Sequence, residues 1–166
     1  MKLPLSLALA VFLAAPVTAQ EAAPAPLAKL GWFGELVGHC YVGTLPDGAS
    51  RDTQCYAALM EHAVRGTISV ERPGGPAFQG EGTFGFDKAT GQIAYVLVAP
   101  GGTFTPGTAV YEDGRLLFPQ RVPAGKPEAR SAWTRTADGY TVTREVKDES
   151  GAWKPAFAVS YAKVNP

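Results

Sequence analysis

The sequence predicts an all-β protein, an antiparallel up-and-down β-barrel of about 8–10 strands preceded by a short helix. Three Asp-Gly pairs lie between runs of alternating or β-branched residues, and this pattern is the strongest short-range signal for a hairpin. These pairs are Asp47-Gly48, Asp113-Gly114 and Asp138-Gly139. Two looser glycine-containing turns at residues 87–91 and 148–151 continue the series. Short connections between sequential strands favour a closed meander without exposed edges, and a β-sandwich is the alternative.

The first 19 residues have the pattern of a secretory signal peptide, with Lys2, an apolar run at residues 5–15 and the small-x-small sequence Val17-Thr18-Ala19. We expect cleavage near Ala19, a flexible Ala/Pro-rich leader at residues 20–26 and the barrel domain at residues 27–166. No later segment approaches the roughly 20 consecutive apolar residues of a membrane-spanning helix. The predicted location is therefore the periplasm or the exterior of the cell, in soluble form.

Composition limits the classes of partner. The chain of 166 residues has 15 Lys and Arg against 15 Asp and Glu, and the charges form neither a basic run nor an acidic tail. This balance removes the electrostatic reason to expect nucleic acid or an anionic membrane surface as partner. The mature length suits one domain with its own core, and no feature of the sequence indicates an oligomeric state.

Residues 27–37 are predicted to form the short amphipathic helix, with Leu30, Phe33, Leu36 and Val37 facing the core. Two Pro/Gly-rich segments, residues 99–107 and 119–127, are expected to be loops at the barrel ends, the first a candidate lid. Ten strands are predicted after the helix, at residues 39–45, 51–59, 62–71, 77–86, 92–99, 104–111, 116–121, 131–136, 140–147 and 154–164.

Cys40 and Cys55 are the only cysteines. If the Asp47-Gly48 turn folds the chain back symmetrically, the two lie opposite each other at about the Cα separation that a disulfide needs. Pro46 cannot donate a backbone hydrogen bond, which leaves a register slip by one residue open. In an exported protein we expect a structural disulfide here, and the absence of a Cys-x-x-Cys motif argues against redox catalysis.

Strand parity identifies the inward side chains, because alternate residues of a strand share one face. Large aromatic residues dominate one face of several strands, where they either fill the interior or line a cavity. The sequence does not separate these two outcomes. The candidate cavity-lining aromatic residues are Phe84, Phe86, Tyr95, Trp133, Tyr140, Phe157 and Tyr161.

Two polar residues share the predicted inward faces. Arg144 lies on the same face as Tyr140, and a buried guanidinium needs a carboxylate, an aromatic face or a ligand anion. We therefore consider Arg144 a candidate anchor for a polar head group, and a structural Arg at the barrel end is the alternative. His62 lies two residues before Val64 and so shares its predicted inward face. We expect it at one mouth of the barrel, as a structural or a cavity-lining residue. His39 is the only other imidazole, and no spacing predicts a metal site.

Several short segments occur together in this order: Leu36-Val37-Gly38-His39-Cys40, Asp47-Gly48 with Asp52-Thr53-Gln54-Cys55, Gly82-Thr83-Phe84-Gly85-Phe86-Asp87, Tyr140-Thr141-Val142-Thr143 and Gly151-Ala152-Trp153-Lys154-Pro155. Through these segments the mature chain is similar to secreted bacterial β-barrel proteins of the lipocalin-like (calycin) type, and the resemblance covers nearly the whole domain. The lipocalin Gly-x-Trp motif is not met, because His39, Cys40 and Tyr41 follow Gly38. The resemblance implies an up-and-down barrel that holds a small apolar ligand.

A more distant resemblance to nitrobindin-like barrels implies haem as an alternative cofactor, with His62, His39, a Tyr or Met60 as candidate axial ligand. No sequence pattern favours a haem-binding barrel, so we expect no cofactor.

Three function hypotheses follow. The first is a carrier or sensor of a small hydrophobic or amphipathic molecule, which requires a cavity of about 300 Å³ or more. The second is a filled barrel that acts by surface contact with another exported protein or the cell envelope. The third, an enzyme, needs titratable side chains that converge inside the barrel. The sequence has no Gly-x-Ser-x-Gly, phosphate-binding Gly-x-x-x-x-Gly-Lys or His-Glu-x-x-His motif, so we expect the first and not an enzyme.

Overall fold

The computed structural model describes residues 26–164. The predicted signal peptide and residues 20–25 of the predicted leader lie outside the described residues. Along residues 26–164, no helix combines the length and apolar character that crossing a bilayer would require.

Ten antiparallel strands form a closed barrel in which each strand pairs with its neighbours in sequence and the first pairs with the last. This confirms the predicted all-β, up-and-down architecture. A 3₁₀ helix, Leu27–Leu36, precedes the barrel. The strands are β1 (His39–Thr44), β2 (Arg51–Leu59), β3 (Ala63–Glu71), β4 (Phe78–Asp87), β5 (Gln92–Ala99), β6 (Thr103–Glu112), β7 (Arg115–Gln120), β8 (Ala129–Arg135), β9 (Gly139–Lys147) and β10 (Trp153–Val164).

The hairpin of β1 and β2 has the register that its turn predicts. Cys40 lies directly opposite Cys55, and the two form a disulfide with a Cα–Cα distance of 4.0 Å. Gly48 has a φ of 72°, a conformation that glycine adopts without strain. The Asp47 carboxylate accepts hydrogen bonds from the backbone N–H groups of Ala49 and Ser50, which fixes the turn. The predicted disulfide is confirmed.

The prediction of a loop or lid at residues 99–107 is wrong. β6 already begins at Thr103, which pairs with Ala99, so the connection is a tight turn. Gly101 and Gly102 have φ values of 88° and 77°, and the Gly102 N–H donates to the Ala99 carbonyl at 3.2 Å. Two consecutive glycines let the chain reverse within this short turn, which leaves no segment long enough for a lid.

The N-terminal helix covers one end of the barrel. Its apolar residues Leu27, Leu30, Phe33 and Leu36 are spaced by three, which places them on one face of a 3₁₀ helix, and all four are buried. The Trp32 indole N–H donates to the Gly114 carbonyl in the β6–β7 turn. We call this end, with turns at residues 60–62, 88–91, 113–114 and 136–138, the closed end, and the opposite end the open end.

Tyr111 of β6 holds the helix at a kink. Its hydroxyl donates to the Leu30 carbonyl at 2.7 Å and accepts from the Phe33 N–H at 3.1 Å. Between these residues Gly31 has φ 58° and ψ −147°, and a Cβ there would lie 2.8 Å from the Tyr111 ring. Glycine is therefore required at this position for both conformation and space.

Candidate ligand-binding cavity

The barrel interior holds a cavity of about 370 Å³ between a layer of aromatic rings and the open end. Phe84, Tyr95, Phe118 and Trp133 form this aromatic layer, with neighbouring ring centroids 5.0–5.9 Å apart. Phe33 of the N-terminal helix supports the layer from the closed end, 5.0 Å from Phe84. The cavity walls also include Gln54, Tyr56, Gly66, Thr67, Ile68, Gly82, Leu97, Thr105, Pro106, Pro119, Gln120, Arg121 and Ser131.

Three predicted aromatic residues, Phe84, Tyr95 and Trp133, line the cavity. Tyr140 and Tyr161 lie behind Trp133, in a stack with centroid distances of 4.9 Å at each step. These two rings are buried and belong to the core, not to the cavity wall. Phe86 also packs against the core near the closed end, where the Lys29 ammonium lies 5.7 Å from its ring centroid.

Arg144, Phe157 and His62 are not among the residues that line the cavity. Phe157 pairs with Arg144 towards the open end and is 44% exposed, because a β-bulge in β10 and the nearby end of the barrel leave its ring uncovered. His62 lies exposed in the β2–β3 turn at the closed end. Strand parity does not extend into a turn, and β3 begins only at Ala63. The prediction that His62 faces inward at a mouth is therefore wrong.

Sequence reasoning missed several lining residues, although parity identifies some of them. Leu97 shares the inward face of Tyr95, and Gln54 shares that of Tyr56. Phe118 lies two residues after buried Leu116. In contrast, no local pattern indicates Thr105, Pro106, Pro119 or Arg121, because these residues lie in or beside segments that were predicted to be loops.

A polar ladder follows the inward face of β2, where Asp52, Gln54 and Tyr56 alternate with outward residues. The Gln54 amide and the Tyr161 hydroxyl donate to one Asp52 carboxylate oxygen, at 2.8 and 2.6 Å. The Tyr56 and Tyr140 hydroxyls donate to the Gln54 amide oxygen at 2.7 and 2.9 Å. This ladder joins three tyrosines of different strands through one buried carboxylate.

The ladder fixes the positions of the core rings. Burial raises the pKa of Tyr56, Tyr140 and Tyr161, so their hydroxyls stay protonated and act as donors. Asp52 is only 5% exposed, and its second oxygen has no hydrogen-bond partner among residues 26–164. Titratable groups do converge inside the barrel, but Asp52 does not line the cavity, and the tyrosine hydroxyls donate to Gln54 and Asp52. We therefore assign the ladder a structural role.

Polar groups also surround the open side of the cavity. The Gln120 amide donates to the Ser131 hydroxyl at 3.0 Å and accepts from the Arg144 guanidinium. Arg121 follows directly and lines the cavity itself. Neither Arg121 nor Arg144 forms an ion pair with a carboxylate of the described residues. Arg65, Arg115, Arg130 and Arg135 form ion pairs, whereas Arg51 and Arg72 form none within residues 26–164.

Of the residues considered as haem ligands, only Tyr56 and Tyr95 line the cavity. His39 is on the barrel exterior with its Nε2 3.1 Å from the Lys163 Nζ, and Met60 is 83% exposed in the β2–β3 turn. Within the part of the chain that the structure describes, no three His, Cys, Asp or Glu residues are grouped so that they could hold a metal ion.

The sequence matches no protein-family model, and no curated protein is significantly similar to it. The closed ten-stranded antiparallel barrel is consistent with a calycin-like fold.

Proposed function

We propose that the protein is an exported lipocalin-like barrel that binds a small hydrophobic or amphipathic molecule in its cavity, as a carrier or sensor. The observation that carries this proposal is the cavity of about 370 Å³, whose inner surface is mainly aromatic and aliphatic. Its size and composition are typical of sites for small apolar ligands. The Cys40–Cys55 disulfide supports the proposed location in the periplasm or outside the cell.

The cavity exists because the sequence has glycine where larger inward residues would fill it. Gly66 and Gly82 are cross-strand partners on β3 and β4, and both line the cavity. A Cβ at Gly82 would lie 2.7 Å from Leu97, and one at Gly66 would lie 3.2 Å from Phe84. The rings and aliphatic chains therefore lie against the wall and leave the centre free, an arrangement that supports a binding role over simple core packing.

A filled barrel that acts by surface contact is the second candidate. One observation favours it: Phe104 is 69% exposed and Val96 40% exposed on the outer face of β5 and β6. That hypothesis predicts a barrel without a cavity, so the 370 Å³ interior favours the first.

A cavity-filling substitution tests the proposal. Ile68 lines the cavity from β3, and Ile68→Trp adds an indole to the space that the ligand would occupy. We expect the variant to lose at least about tenfold in affinity for a neutral naphthylamine dye whose fluorescence rises in apolar surroundings. Mass spectrometry of molecules extracted from the natively exported protein should also show a ligand in the parent that the variant lacks.

Thr83→Trp is the matched control, because Thr83 is exposed on the outer face of the neighbouring β4. This variant should bind the dye with parental affinity. If Ile68→Trp keeps the parental circular-dichroism spectrum and still binds as tightly as the parent, the dye does not occupy the cavity and the proposal is wrong.

A further inference from the structure

The barrel wall separates between β6 and β7 on the side of the open end. Val110, Tyr111 and Glu112 of β6 pair with β7, whereas residues 103–109 pair only with β5. On the other side, Phe118, Pro119 and Gln120 pair only with β8. Two strand edges therefore face each other without a ladder, although the same strands are paired near the closed end.

Prolines maintain this separation. Pro106 lies on the unpaired edge of β6, and Pro119 lies on the unpaired edge of β7. Proline has no backbone N–H and cannot donate to a ladder, so it is confined to strand edges and irregular positions. One proline on each side prevents the two edges from pairing continuously. The opening is therefore a consequence of the sequence and does not require a conformational change.

The opening leads directly into the cavity. Thr105 and Pro106 line the cavity from the β6 side, and Phe118, Pro119 and Gln120 line it from the β7 side. The residues that bound the gap are thus also residues of the cavity wall. The opening therefore borders the cavity from the side of the barrel, away from the N-terminal helix at the closed end.

Two polar groups without partners lie at this opening. The Tyr95 ring lies over Gly107 of β6, where any side chain would collide with it, and its hydroxyl has no hydrogen-bond partner in the described part of the chain. Of the other tyrosines, Tyr56, Tyr111, Tyr140 and Tyr161 have hydrogen-bonded hydroxyls, and Tyr41 has no such bond within residues 26–164. Burial raises the pKa of the Tyr95 phenol and the Arg121 charge partly offsets this, which is consistent with a guanidinium near the hydroxyl.

We propose that the β6–β7 opening is the entrance of the cavity and the binding site for the carboxylate of an amphipathic ligand, held by the Arg121 guanidinium and the Tyr95 hydroxyl. This inference rests on the proposed function and names its ligand class. The chain of the ligand lies on Phe84, Phe118 and Trp133. If a methylene takes up about as much room as a liquid water, ~30 Å³, the cavity holds a chain of roughly ten to twelve carbons.

The charges around the opening select an anion over a cation. Arg121 lines the cavity, and Arg144 donates to Gln120, which also lines it. No Asp or Glu is among the residues that line the cavity. A carboxylate would give both guanidinium groups the anionic partner that they lack within residues 26–164, and such charge-assisted hydrogen bonds are the strong ones.

Titration calorimetry with three probes of equal chain length tests the head-group site on the complete exported protein. The probes are decanoate, decanol and decyltrimethylammonium. We expect decanoate to bind about tenfold more tightly than decanol, and the cation to bind most weakly. Arg121→Gln should reduce the affinity for decanoate about tenfold, and Tyr95→Phe about threefold, while neither changes the affinity for decanol.

Arg51→Gln is the control for net charge, because Arg51 is exposed at the open end and does not line the cavity. This variant should bind decanoate like the parent. If decanoate and decanol bind equally well to parent and variants, the head-group site is wrong and the proposed function stands. If none of the three probes binds, both the inference and the proposed function are overturned for ligands of this size.

The rate of association tests the entrance. Thr105→Trp places an indole at the β6 side of the opening, and we expect decanoate to associate about tenfold more slowly by stopped-flow fluorescence. Thr108→Trp, on the exposed outer face of the same strand, should keep the parental rate. An unchanged rate in a Thr105→Trp protein with parental circular dichroism would overturn the lateral entrance. The Arg121 and Tyr95 variants test the head-group site independently.

Discussion

The tyrosines of this barrel differ in whether their hydroxyl group forms a hydrogen bond within the protein. The Tyr161 hydroxyl donates to the Asp52 carboxylate at 2.6 Å in a buried environment. The Tyr95 hydroxyl lies at the cavity and has no such partner among the described residues. The two rings have the same chemistry and similar burial, with 5% and 9% exposure. Their substitution by Phe therefore isolates the contribution of a hydrogen bond from that of ring packing.

We predict that Tyr161→Phe lowers the free energy of unfolding by roughly 1–3 kcal/mol, because it removes a hydrogen bond from a buried acceptor. Tyr95→Phe should change stability by less than about 0.5 kcal/mol. Urea unfolding followed by far-ultraviolet circular dichroism measures both values. Equal stability of the two variants would show that the Asp52–Tyr161 hydrogen bond does not contribute to folding.

The N-terminal helix packs a fully buried aromatic side chain, Phe33, against the aromatic layer of the barrel. Phe33 is fully buried and lies 5.0 Å from the Phe84 ring centroid and 6.0 Å from that of Trp133. The Glu35–Arg135 ion pair attaches the end of the helix to β8. The helix thus closes the barrel and supports the aromatic layer on which the proposed ligand lies.

We predict that Phe33→Ala lowers the free energy of unfolding by about 3–5 kcal/mol, the usual cost of removing a buried aromatic side chain. Ligand affinity should also fall, because Phe84 and Trp133 lose their support. Phe104→Ala is the control, since Phe104 is 69% exposed, and its effect on stability should stay within about 0.5 kcal/mol. A Phe33→Ala protein as stable as this control would contradict the role assigned to the helix.

In the molecule as a whole, the buried tyrosine phenols determine how the free energy of unfolding changes as the pH becomes alkaline. Burial raises the pKa of Tyr56, Tyr140 and Tyr161 above the ordinary value of 10.0, and that of Tyr111 to about 12. In the unfolded chain these phenols ionise near 10.0, so above this pH the unfolded state binds fewer protons than the folded state. The contribution of these phenols to the free energy of unfolding is complete below pH 10.0. It is lost as the pH rises towards the pKa values of the phenols in the folded state.

We therefore predict little change in the urea midpoint between about pH 7 and pH 9, and a steep fall above pH 10, by up to about 1.4 kcal/mol per pH unit for each phenol. Phenolate absorbance of the buried tyrosines should appear together with the loss of near-ultraviolet circular dichroism. Phenolate absorbance from all tyrosines before any loss of tertiary structure would contradict this account.

The fold was predictable because its signals are local. The Asp47-Gly48 turn sets the register of β1 and β2, and this register brings Cys40 opposite Cys55. The helix was also predictable, but its 3₁₀ form depends on the spacing of three between Leu27 and Leu30 and on the kink at Gly31. The tight turn before β6 was missed, because residues 99–107 contain prolines and glycines that are typical of loops.

The candidate site was predictable only in part. Parity identified Phe84 as an inward residue, and the bulk of the aromatic side chains made Tyr95 and Trp133 candidates; all three line the cavity. The same parity placed Tyr140 and Tyr161 inside, but their distance from the cavity depends on how the rings of several strands stack. His62 was misplaced because a turn interrupts the alternation on which parity depends.

The hairpins, their order, the disulfide and the inward faces of the strands could be predicted from the sequence, because turn chemistry and the alternation of strand residues are encoded in neighbouring residues. The sequence did not predict the cavity in the interior, the hydrogen bonds that join Asp52 to three tyrosines, or the opening between the strand edges that carry Pro106 and Pro119. These features depend on side chains that are distant in sequence. Their arrangement follows from closure of the barrel and from how its interior volume is filled.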